Sequence, residues 1–213
     1  MAHNPRERLN HLLELAGQGA AGQAALFGEL AELLLDWPAD YAQAMRAPFE
    51  TLLQKTAREV DAPTRAALAQ RLRGHDELPV CLLNEFFLDA PCDVRARILA
   101  RNEMDGADSG EPAGDAVDGA ALVGAARTTN GAFAETFAAM LSLPQAVATE
   151  ILADETRQAL AIACKGAGID RAAFSAIAVL ADPTGTAAAR LAAFDAVPQA
   201  AADRLTRLWR ARG

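Results

Sequence analysis

The apolar positions of this chain recur at helical spacing along most of its length. Leu26, Phe27, Leu30, Leu33 and Leu34 fall at i, i+1, i+4, i+7 and i+8, which predicts a helix over 20–36 with one apolar stripe. Leu9, Leu12, Leu13 and Leu15 mark an earlier helix over 5–16, closed by Gly17 and Gly19. Pro38 suits the first turn of a further helix. Pro48 then breaks or restarts it, because proline removes an interior hydrogen bond.

The following stretch is written twice. Leu52-Leu53 recurs as Leu82-Leu83, Glu59 as Asp89, Arg65 as Arg95 and Leu68 as Ile98, each pair thirty residues apart. Self-similarity at a fixed period is the signature of stacked helical repeats. Asp61-Ala62-Pro63 suits an N-cap followed by a first-turn proline, and Asp89-Ala90-Pro91 reads as a second such start, displaced relative to its arginine. Residues 80–88 predict a helix apolar on most of its surface, which needs cover on more than one side. Ala121-Leu122-Val123 resembles Thr51-Leu52-Leu53, as a third copy displaced by an insertion of about ten residues would.

Residues 102–119 break the pattern. They hold Glu103, Asp105, Asp108, Glu111, Asp115 and Asp118, several glycines and no basic residue. This predicts a solvated loop, with an acidic docking segment as the alternative. Short helices resume after it. Asn130 can cap one that reaches Leu141, and Ser142-Leu143-Pro144-Gln145 matches the capping-box pattern. Asp154 caps the next, which carries Leu160, Ile162 and Cys164 and ends near Gly166 and Gly168. Asp170 caps a helix over 171–180, Asp182-Pro183-Thr184-Gly185 is a turn, and Pro198 opens the last helix. The predicted organisation is a helical region over 1–101, a loop or linker over 102–119 and a second helical region over 120–213.

Composition agrees with an all-α fold. Hydrophobic residues make up 52% of the 213, much of this alanine and leucine, while aromatics are only 5%. Alanine and leucine favour helix, whereas strands favour β-branched and aromatic residues. The formal net charge of −8 gives a surface that repels phosphate backbones, so no nucleic-acid partner is expected. No apolar run approaches the ~20 residues of a membrane span. Glu7, Arg8, Asn10 and His11 interrupt any signal core, so a cytoplasmic, bacterial-type protein is expected. Cys81, Cys92 and Cys164 are few and unevenly spaced, which argues against a disulfide framework and predicts reduced, buried thiols.

Four charged residues belong to the duplicated unit: Glu59, Arg65, Asp89 and Arg95. Acid and arginine are six apart within each copy, too far for neighbours on one helix face. In stacked copies the arginine of one can reach the acid of the next, a structural ladder that fixes register. An arginine site for a phosphate or carboxylate is the functional alternative.

The double leucine, the acid and the arginine before an apolar helix resemble HEAT-type repeats, best matched by Asp93-Val94-Arg95-Ala96-Arg97-Ile98-Leu99. The segments Glu59-Val60-Asp61-Ala62-Pro63-Thr64-Arg65-Ala66-Ala67-Leu68-Ala69 and Ala159-Leu160-Ala161-Ile162-Ala163-Cys164-Lys165-Gly166-Ala167-Gly168-Ile169, with Phe174 after Arg171, resemble the alphaproteobacterial domain-of-unknown-function family 2336. That resemblance spans most of the chain from about Leu26 onward, and the acidic glycine-rich loop departs from it. It implies HEAT-like helices and no assigned activity.

Other candidate chemistry is sparse. His75-Asp76-Glu77 with Cys81 suggests a metal or thiol site, but metal sites need several ligands placed by the fold. Apolar neighbours should raise the Cys81 pKa rather than activate the thiol. Thr128-Thr129-Asn130-Gly131 is a polar turn that could serve as a ligand loop. Arg204, Arg207, Trp209 and Arg210 on the last helix form a candidate partner surface; the structural reading is that the cations complement the helix dipole and Trp209 covers the end of the array. The sequence thus predicts a HEAT-like α-solenoid, or an irregular stack of antiparallel helix pairs. The expected role is non-enzymatic, a protein or peptide interaction or scaffold module with no catalytic residues, metal or cofactor. A small-ligand-responsive regulator, with a pocket between the halves, is the alternative.

Overall fold

The computed structural model describes residues 11–12, 14–15, 18–35, 46–71, 78–105, 117–128, 133–181 and 186–212. Among them every regular element is a helix, and there is no strand. His3, His75, Asp76, Glu77, residues 106–116 of the acidic stretch, Pro38, the turn residues 129–131 and 182–185, and most of the predicted first helix lie outside the described residues. The chain forms two compact units, Met1–Arg95 and Ala96–Gly213.

In the first unit, α1 (Gly19–Leu35) packs against α2 (Arg46–Glu59). The stripe of α1 is buried as its spacing predicts, with Phe27 and Leu30 in the core. Pro48 is the third residue of α2, and the helix runs on from it to Glu59 rather than breaking there. Asp61 caps α3 (Ala62–Arg71): its Oδ1 accepts from the Thr64 N–H at 2.8 Å.

The helix predicted over 80–88 is shorter. α4 spans Val80–Glu85, and i→i−3 bonds from the N–H groups of Phe86, Phe87, Asp89 and Ala90 make tighter turns after it. Leu82, Phe86 and Phe87 are buried, and Phe86 meets Phe27 edge-on at 5.4 Å. α5 (Cys92–Met104) opens behind Pro91, thirty residues after α3 opens behind Asp61. The repeat is therefore in register at the helix start. Pro91 stands where Asp61 stands, and Asp89 is the counterpart of Glu59 rather than a cap.

α5 continues past the expected start of the acidic loop. Asn102 is fully buried, and its Nδ2 donates to the Ile98 carbonyl at 2.8 Å. At the far end Asp118 Oδ1 accepts from the N–H groups of Ala120 and Ala121, opening α6 (Gly119–Thr128). Helical structure therefore enters the stretch 102–119 from both ends.

The second unit is built round α9 (Gln158–Gly166), in which every residue from Ala159 to Cys164 is fully buried. Its main neighbour is α12 (Gln199–Arg210); α8 (Gln145–Ala153), α10 (Arg171–Ala181) and α11 (Ala187–Asp195) also pack on it. Burying Leu160 and Ile162 contributes about 1.5–3 kcal/mol each. Gly166 permits the close approach of α9 and α12: a Cβ there would collide with Thr206 Oγ1 and the Ala202 carbonyl. Asp154 caps α9 from outside, its Oδ2 accepting from the Ala159 N–H at 2.9 Å. α9 ends in a Schellman turn with Gly168 at φ 74° and the Ile169 N–H donating to the Cys164 carbonyl.

The junction of α7 (Phe133–Leu141) with α8 is also a Schellman turn, not a capping box. Ser142 adopts φ 55°, its N–H donates to the Ala139 carbonyl, and the Leu143 N–H donates to Ala138 at 2.8 Å. Pro144 occupies the N-cap of α8 and makes no side-chain cap. The two helices bend by 116° there, and no single helix among the described residues is long and apolar enough to cross a membrane.

Candidate functional site

The residues of the predicted ladder converge on the turn that joins α4 to α5 and on its counterpart before α3. Both turns bury a small apolar residue, Val60 and Ala90, one position before the cap. A buried turn carries carbonyls that water cannot reach, so the chain must supply donors. Arginine does so in both copies at the same offset. Arg65 Nη1 donates to the Val60 carbonyl at 2.9 Å, and Arg95 Nε donates to Ala90 at 2.9 Å. Arg95 Nη2 also donates to Leu88 at 2.7 Å, and its guanidinium lies over the Phe87 ring at 5.3 Å.

Arg65 reaches the second copy as well: its Nε donates to Asp89 Oδ2 at 2.8 Å. The pair is largely buried, with side chains 15% and 10% exposed. Glu59 does not join it and accepts instead from Gln23 Nε2 at 3.1 Å. A contact absent from the sequence reading lies beside it: Arg58 Nε and Nη2 both reach Glu85 Oε1 at 2.7 Å. Glu85 is buried at 1% side-chain exposure, and a lone carboxylate in the apolar run 80–88 was the signal that a cation must meet it. The Arg65 Nε and Nη1 donors are thus engaged by the chain's own acceptors, which is the geometry of a structural clamp.

Cations of the second unit behave alike. Lys165 Nζ donates to the carbonyls of Phe194 and Val197, at 3.2 and 2.6 Å, and lies 5.0 Å from the Phe194 ring centre. Arg157 Nη1 donates to Leu152, Arg204 Nη2 to Asp105 and Arg210 Nε to Leu141, each at 2.8 Å. These carbonyls close the C-terminal ends of α8, α5 and α7, where free acceptors and the dipole favour a cation. Of the candidate partner surface, Trp209 is fully buried and belongs to the core, Arg204 and Arg210 hold helix ends, and Arg207 is exposed. Burial pulls the Arg210 pKa below its ordinary value.

The thiols differ from expectation. Cys164 is buried, but Cys81 and Cys92 are exposed, because each lies on the outward side of its helix. Although Cys81 is exposed at its surface, its thiol is partly desolvated, and this, then the Glu50 carboxylate, pushes its pKa up, away from thiolate chemistry. Among the described residues no group of three or more His, Cys, Asp or Glu is placed to hold a metal ion. The Thr128 hydroxyl bonds back to the Gly124 and Ala125 carbonyls of its own helix. Comparison with known protein families, with curated proteins and with solved structures finds no match to this chain.

Proposed function

We propose that this protein is a non-enzymatic interaction module, a HEAT-like helical array that binds a protein or peptide through the outer side of α2. The observation that carries the reading is a difference between the two copies. Leu82 is 1% exposed, whereas its counterpart Leu52 is 47% exposed. The second leucine of each pair, Leu53 and Leu83, is buried in both. The repeat therefore writes the same apolar residue at a covered position and at an open one. Pro48, Leu52 and Lys55 are exposed at i, i+4 and i+7, one face of α2. Such a face suits an aliphatic side chain of a partner flanked by an acidic group that Lys55 would meet.

The test is affinity capture from native lysate, read by mass spectrometry, with the wild-type chain, Leu52→Glu and Val179→Glu. Val179 is an exposed apolar residue on α10 and serves as the control. The expected result is a stoichiometric protein partner retained by Val179→Glu and lost by Leu52→Glu, with both variants melting like the wild type. Equal capture by all three chains, or no stoichiometric partner for any, would overturn the reading.

A further inference from the structure

We draw no further inference here: the strongest candidate, the exposed surface patch of Val179 and Leu180 at the C-terminal end of α10, carries nothing because nothing in the structure shows what covers it.

Discussion

Arg65 Nε stands 2.8 Å from Asp89 Oδ2, while the same guanidinium holds the Val60 carbonyl through Nη1 at 2.9 Å. One side chain thus closes the turn of its own copy and clasps the acid of the next. Arg65→Ala would leave both acceptors without that donor in a largely buried place. The expected loss is about 3–5 kcal/mol at most, the range for breaking a buried pair from one side. Arg95→Ala should cost a similar amount, whereas Arg207→Ala on the surface should stay within about 0.5 kcal/mol. Thermal melts of the three variants check this, and equal, negligible shifts would remove the clamp. A double-mutant cycle of Arg65→Ala with Asp89→Ala should give a coupling of about 1–3 kcal/mol.

Two glycines should respond oppositely to alanine. Gly166→Ala places a Cβ against Thr206 Oγ1 and the Ala202 carbonyl, forcing α9 and α12 apart. Overpacking of this kind costs about 1–3 kcal/mol. At Gly124 a Cβ meets nothing within 4 Å. Gly124→Ala should therefore stabilise α6, by about 0.5–1 kcal/mol from helix propensity alone. Urea unfolding of both variants measures the contrast.

Ser142 offers a choice between two turn chemistries. As an N-cap it would be harmed by losing its hydroxyl, but at φ 55° it is the left-handed residue of a helix C-terminus. Ser142→Gly should then raise stability by about 0.5–1 kcal/mol, because glycine adopts positive φ without a Cβ penalty. A drop in melting temperature on that substitution would instead favour a capping role.

Acid should weaken the fold partly through two exposed carboxylates. The Arg171 guanidinium donates to Asp195 through Nε and Nη2, both at 2.8 Å, and holds that carboxyl below its ordinary 3.8. The Thr64 side chain and N–H do the same for Asp61. A folded-state pKa below the unfolded one gives stability that is present above about 3.8 and lost as pH falls through the lower, folded value. Asp195→Asn should therefore flatten the acid limb of a melting curve taken from about pH 5 to pH 2. An unchanged acid limb would show that the pair carries no linked stability.

The legible parts of this fold were those set by local chemistry. Asp61, Asp154 and Asp170 cap the helices that follow them, as short acidic side chains before apolar runs should. α3 and α5 also start thirty residues apart, and Arg65 and Arg95 each donate to the carbonyl five residues earlier. Less legible was whatever depended on which backbone group took a donor. Asp89 reads as a cap by type, yet it serves Arg65, and Pro91 takes the cap position. Ser142 matches a capping box by letters, yet its backbone angle closes the preceding helix. Trp209 beside three arginines left two readings open, a partner surface or a buried cover; the ring is buried, Arg204 and Arg210 turn to carbonyls, and Arg207 stays exposed.

The bonds of α12 have a consequence for biosynthesis. Arg204 and Arg210 hold acceptors 99 and 69 residues earlier in the chain. Loop closure over such spans slows folding relative to nearest-neighbour helix pairing. A nascent chain can form α7, α8 and α9 individually on the ribosome, but the wholly apolar sides of α9 stay uncovered until α12 has been synthesised. During that interval the second unit presents the kind of surface that chaperones hold, and its arginines complete the unit only once α12 folds back onto the earlier helices.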